Sequence, residues 1–206
     1  MIKKKRVAAI CKSHKQVMMQ TTRDNTQWIG ARGAMYILAG IAPMSAESLA
    51  SMLDYSEKDF TTIHFREIHA SEELFSDNND DTQIKDAPKR VIIKNVEYLI
   101  FETKDDLIFI NGAYLKPIDT DDQTTYHMRN LSDGTTCLCV KKGFLPEAVI
   151  LGVKFENKAL EDWFSEIAGI VGAVQTKYMT RREPSWSEQD LQMAFGDCEE
   201  GQSESI

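Results

Sequence analysis

The feature that most constrains this chain is a train of short β-prone runs cut by tight-turn residues. The clearest case is "TTYHMRNLSDGTTCLCVKK", residues 124–142. Two alternating runs there flank Asp133-Gly134, a pair that supplies the backbone conformations a short hairpin loop needs. Upstream, "KRVIIKNVEYLIFETKDDLIFINGAYLKPI" (89–118) divides into three strands with turns at Lys94-Asn95 and at Lys104-Asp105-Asp106. Downstream, "PEAVILGVKF" (146–155) has the continuous apolar character of a buried strand. Runs of strands broken by only a few helices point to an α+β protein with a largely antiparallel sheet, or two small sheets, rather than to βαβ winding.

The N-terminal part reads the same way. Val7–Cys11, with a basic lead-in, and Gln16–Gln20 are expected strands, with Ser13-His14-Lys15 between them. Thr22–Asn25 is a cluster of turn formers, and two further apolar runs flank Gly30 and Gly33. A short helix is expected near residues 45–54. Ser45 is a good N-cap, Glu47 suits the positive end of the helix dipole, and Leu49, Met52 and Leu53 recur at helical spacing. Ser56–Asp59 is expected to form another turn, and "FTTIHFREIH" (60–69) to form a strand.

Residues 71–87 are polar and acidic with almost no apolar periodicity, so a long exposed loop is expected there. It marks the expected boundary between a strand-rich half over 1–70 and a second over 88–182. The second half is expected to end in a longer amphipathic helix near residues 157–174, where Leu160, Trp163, Phe164, Ile167, Val171 and Val174 form one stripe. In 183–206, Ser185 and Glu188 spell a capping box before a short helix, followed by an acidic tail expected to be disordered.

Chemical motifs are sparse. "WIGARGAMYI" (28–37) contains Gly30-x-x-Gly33, the loop spelling of an RNA-binding KH domain. A KH loop joins two helices, whereas Thr21–Gln27 before it is rich in turn formers and β-branched residues, and only Arg32 adds positive charge. A turn between strands is therefore the expectation, with RNA binding through the Gly30–Gly33 loop as an alternative. Cys137 and Cys139 are two apart, so on a strand they share a face and read as small core residues rather than a metal or redox pair. His14, His64, His69 and His127 have no zinc spacing, and paired acids such as Asp80-Asp81, Asp105-Asp106 and Asp121-Asp122 fall in expected turns. No nucleophile elbow, Walker loop or dinucleotide fingerprint occurs, so neither catalysis nor a cofactor or metal is expected.

The net charge of −8, from 32 acidic and 24 basic residues, argues against a broad nucleic-acid-binding face and fits a basic partner. No apolar run approaches the ~20 residues of a membrane helix, and Lys12 interrupts the N-terminal apolar stretch before it reaches signal-peptide length, so a cytoplasmic protein is expected. Two surfaces stand out. Glu72, Glu73, Asp77, Asp80, Asp81 and Asp86 space carboxylates along the 71–87 segment as a DNA mimic would. Gln192, Met193 and Phe195 resemble, one residue short, the peptides that bacterial replication proteins insert into the sliding clamp.

Across "TQWIGARGAMYILAGI" (26–41), "ESLASMLDYSEKD" (47–59) and "VKKGFLPEAVILGVKF" (140–155) the chain resembles accessory proteins of prophages and other mobile elements of Gram-positive bacteria. The resemblance implies an anti-defence role, such as that of an anti-CRISPR protein, or a part in the element's own replication. The leading expectation is a non-catalytic acidic protein that inhibits a host nucleic-acid-handling protein through its basic groove. The alternative is a replication module, either clamp-like or clamp-binding.

Overall fold

The computed structural model describes residues 2–77, 80–85, 87–103, 107–153, 169, 170 and 173. The chain divides into two units, 1–154 and 155–206. In the second, Gly169, Ile170 and Ala173 are helical, while the rest of the expected 157–174 helix and the 183–206 segment lie outside the described residues.

The first unit is α+β, with two mostly antiparallel sheets of short strands. An N-terminal helix α1 (Lys4–His14) precedes strands β1 (Gln16–Thr21), β2 (Gln27–Ala31) and β3 (Ala34–Ile37). Helices α2 (Ala46–Met52) and α3 (Glu57–Thr62) follow, then β4 (His64–Glu67), β5 (Thr82–Ile84), β6 (Lys89–Ile93), β7 (Val96–Glu102) and β8 (Leu107–Asn111). Strands β9 (Thr124–Asn130), β10 (Thr136–Lys142) and β11 (Leu145–Leu151) complete it. The large sheet has the order β4-β1-β2-β3-β11-β10-β9-β5, and β6-β7-β8 form a separate three-stranded sheet. The helices α2 and α3 intervene before β4, which lets β4 return parallel to β1; the other described pairs are antiparallel.

Strand alternation explains the layering. On one face Ile29, Tyr36, Leu138, Val140, Ala148 and Ile150 meet Val7, Ile10 and Cys11 of α1, Leu49 of α2, and Phe101, Ile108 and Ile110 of the small sheet. On the other, Trp28, Met35, Cys137, Cys139 and Val149 form a smaller core under Phe75. The two cysteines share that face as period-2 geometry requires, and both are fully buried and free.

Turn chemistry fixes the register. Lys94 and Asn95 both take positive φ (49° and 64°), the pattern of a two-residue hairpin that matches strand twist. Gly33 (φ 104°) turns β2 into β3, so Gly30-x-x-Gly33 is a strand–turn–strand element. Gly30 itself is required by packing, since a Cβ there would lie 1.9 Å from the Ala34 carbonyl oxygen. Asp133-Gly134 closes the β9–β10 hairpin with Leu131 N–H bonded to the Thr135 carbonyl.

Three expectations are corrected. Val7–Cys11 is helical, not a strand. Val7, Ala8, Ile10 and Cys11 make a buried helical stripe, and a short apolar run does not by itself distinguish strand from helix. Ser56–Asp59 opens α3 rather than a turn, because Ser56 and Asp59 cap each other's backbone N–H groups, and the strand that follows begins only at His64. The 71–87 segment does not separate two halves. β11 inserts between β3 and β10, joining strands from both sides of it in one sheet, and the segment itself contributes β5. The expected helix near 45–54 is present, with the Ser45 side chain accepting from Ser48 N–H.

Candidate functional site

The 71–77 segment crosses the second face of the large sheet, where Arg129 is its main polar anchor. Arg129 pairs with Cys137 across the β9–β10 ladder, which aims its side chain at that face. The Arg129 side chain is 2% exposed. Its Nε and Nη2 donate to the two carboxylate oxygens of Asp81, each at 2.6 Å. Nη1 donates to the carbonyls of Glu73 (2.6 Å) and Leu74 (3.0 Å), and Nη2 also donates to that of Ser76 (2.9 Å). Lys141, two residues beyond Cys139 on the same face, completes the cluster with contacts to Asp77 (2.6 Å) and Asp81 (2.8 Å). The side chains of Arg129, Asp81 and Lys141 are all buried, so each charge is compensated where it lies.

Electrostatics follow from that geometry. Burial pushes the Asp81 carboxyl up, but the hydrogen bonds from Arg129 and Lys141 outweigh it and hold the group below the usual carboxylate range. Burial likewise opposes the charge on Lys141, and its bonds to Asp77 and Asp81 more than offset that, leaving it raised. His127, beside them, is held below its ordinary value by burial and by the Lys141 ammonium. Its Nε2 meets Thr125 Oγ1 at 3.0 Å, and its Nδ1 is buried without a hydrogen-bond partner.

Beside the clamp runs a groove of about 450 Å³ between the 71–77 segment and the β10–β11 hairpin. Trp28, Ile37, Phe75 and Pro146 give it an apolar floor, with the Trp28 and Phe75 rings 5.0 Å apart. Asp24, Glu72 and Asp77 form an acidic rim, on which Glu72 pairs with Arg23 at 3.1 Å. Phe144 and Leu145 complete the lining from the hairpin tip. Gly143 (φ 61°) begins that two-residue turn, which puts Phe144 at the apex. Phe144 is 87% exposed and Leu145 70%. A neighbouring polar cleft of about 310 Å³ shares Asp77 and Phe144 with the groove and is lined by His127, Lys141, Asp81 and Thr125.

The acidic residues singled out from sequence are thus divided. Glu72 and Asp77 reach the groove rim, Glu73 and Asp80 are exposed, and Asp86 lies outside the described residues. Asp81 is a correction: its side chain, 1% exposed at the floor of the polar cleft, is an internal counter-ion rather than a surface carboxylate. Both its oxygens are occupied by Arg129 and Lys141, so it is not free to act as a base toward His127. The overall charge is also unevenly placed. Residues 1–154 hold 21 acidic and 20 basic side chains, whereas 155–206 hold 11 and 4. Gln192, Met193 and Phe195 lie outside the described residues.

Sequence reasoning missed Arg129, Lys141 and Phe144. Two of these carried a signal: Lys141 has the parity of Cys137 and Cys139, and the Asp133-Gly134 turn sets Arg129 opposite Cys137. Among the described residues, no group of three or more His, Cys, Asp and Glu side chains could hold a metal ion, and no helix is long and apolar enough to cross a membrane. No family model matches the chain, and no curated protein or solved structure is detectably similar to it.

Proposed function

We propose that this is a non-catalytic binding protein that takes a basic, partly apolar segment of a partner into the groove between the 71–77 segment and the β10–β11 hairpin. In the mobile-element setting suggested by sequence resemblance, the partner is a host nucleic-acid-handling protein, and occupancy of its basic surface inhibits it. The observation that carries the proposal is Phe144. A tight turn needs Gly143 but has no need of an aromatic ring at its apex, 87% in water, beside an apolar floor with a carboxylate rim. Exposed aromatic anchors next to a pocket are the usual energetic centres of protein interfaces. Of the rim carboxylates, Glu72 and Asp77 are already paired with Arg23 and Lys141, so Asp24 carries the charge complementarity for a basic partner. A basic segment gains the other two by exchanging with those cations, which makes the contact salt-sensitive. This narrows the DNA-mimic idea: the contact combines apolar burial with a few carboxylates instead of relying on a long acidic loop.

The test is affinity capture with the tagged full chain from a nuclease-treated Gram-positive bacterial lysate, run beside the Phe144→Ser variant. The proposal expects a basic nucleic-acid-handling protein that the wild-type chain retains at low salt, that high salt releases, and that Phe144→Ser fails to capture. A partner held equally by both chains places the contact elsewhere and removes the proposal's basis.

A further inference from the structure

Helix α1 creates a second surface, on the opposite face of the large sheet from the groove. Residues 3–15 contain six Lys and Arg residues and no Asp or Glu. The apolar stripe of α1 (Val7, Ala8, Ile10, Cys11) is turned into the core, so the exposed face keeps Lys4, Lys5, Arg6, Ala9, Lys12 and Ser13. Lys3 and Lys12 are engaged by Asp119 (3.1 Å) and Asp59 (2.6 Å). Lys4, Lys5, Arg6 and Lys15 are exposed and make no ion pair among the described residues.

Two neighbours enlarge the cluster. The Tyr114 hydroxyl lies 3.0 Å from His14 Nε2 and donates to the Arg32 carbonyl at 3.1 Å, which ties the β2–β3 turn to the C-terminal end of α1. Lys3 N–H donates to the Pro117 carbonyl at 2.7 Å, which brings the chain after exposed Lys116 to the other end of the helix. Cations unpaired among the described residues therefore sit at both ends of α1, Lys4, Lys5 and Arg6 in its first turn and Lys15 and Arg32 at its C-terminal end. The ends are about 16 Å apart for its 11 residues at ~1.5 Å each, with Lys12 between them paired to Asp59.

We infer that α1, with Arg32 of the β2–β3 turn, binds the phosphodiester backbone of nucleic acid. Two groups of exposed cations at the ends of one helix match a ligand whose charge repeats along a line, at about 3.4 Å of axis per strand phosphate in duplex DNA. An anionic membrane fits less well, because an interfacial helix must present a large apolar face to lipid and α1 buries its own. The net charge of −8 does not forbid the contact. Residues 1–154 are almost balanced in charge, and screening beyond ~10 Å at 0.1 M salt makes the local cluster decisive. The surface is independent of the Phe144 groove, so either assignment can fail without the other.

The experiment is fluorescence anisotropy with the full chain and two labelled probes, a random-sequence DNA duplex and a single-stranded RNA, across a salt series. Engaging about four phosphates gives a log–log salt slope near −3.6 on duplex, or roughly a hundredfold loss of affinity between 50 and 200 mM salt. Lys5→Ala/Arg6→Ala and Lys15→Ala/Arg32→Ala should each bring the slope to about −1.8 while circular dichroism stays that of the parent. Phe144→Ser should bind as the parent does. Tighter binding to one probe at the same salt concentration identifies which nucleic acid is preferred, since equal contacts already give a steeper slope on duplex (about −0.9 per phosphate) than on a single strand (about −0.7). No binding to either probe at 50 mM salt, or a slope that both double variants leave unchanged, overturns the inference.

Discussion

Arg129→Met removes the clamp and gives the sharpest stability prediction. Methionine fills much of the volume but leaves the Asp81 carboxylate, 1% exposed, with Lys141 as its remaining charged partner. The Glu73, Leu74 and Ser76 carbonyls also lose their donor. Breaking a buried pair from one side costs about 3–5 kcal/mol, because an under-compensated charge stays inside. With a urea m-value of about 2 kcal/mol/M, the midpoint should fall by roughly 2 M. The assay is urea unfolding followed by circular dichroism, with equal m-values required for the comparison. The double variant Arg129→Met/Asp81→Leu isolates the cause. It removes Arg129 and Asp81 together and leaves the buried Lys141 its bond to Asp77, so it should recover at least half of the loss. A single variant that loses less than about 1 kcal/mol, or a double variant that loses the sum of the two singles, refutes the argument that compensation of buried charge holds the segment in place.

Other outcomes follow from the same structure. Asp81 is depressed in the fold, so its contribution is complete above its unfolded value of about 3.9 and is lost as pH falls toward the folded one; Asp81→Asn should flatten acid unfolding in that window. His127 is also depressed, so stability should decline as pH drops below about 6.5, and His127→Gln should remove that part of the pH profile measured by thermal unfolding. Ser56→Ala removes one half of the α3 capping box and should cost about 1 kcal/mol in the urea assay. Cys137 and Cys139 are fully buried, so a thiol reagent should label them only after denaturant is added, and rapid labelling in native buffer would show that the second core is open.

What could be read from the sequence depended on how local the determinant was. Hairpins announced themselves because two or three residues decide them: Lys94-Asn95 takes positive φ at both positions, and Asp133-Gly134 turns β9 into β10. Ser45 and Glu47 marked α2 for the same reason. Val7–Cys11 failed because five residues satisfy either period, and the choice was made by contacts with Ile29 and Tyr36 far along the chain. The acidic segment failed differently. Composition suggested a solvated loop, yet Asp81 is buried by two cations that lie 48 and 60 positions further on, and only the sheet register brings them together. Phe144 belongs to the 140–155 stretch that carries the resemblance, but nothing local distinguishes an aromatic at a turn apex from one folded back onto the sheet.

The central claim, that the Phe144 groove is the contact surface, is tested most directly by hydroxyl-radical footprinting of the free chain and of the captured complex, read residue by residue by mass spectrometry. The account predicts strong oxidation of Phe144 and Leu145 in the free chain and clear protection of both in the complex, with the α1 face unchanged when nucleic acid is absent. Phe144 and Leu145 oxidised equally in both states, with protection appearing elsewhere on the molecule, would contradict it.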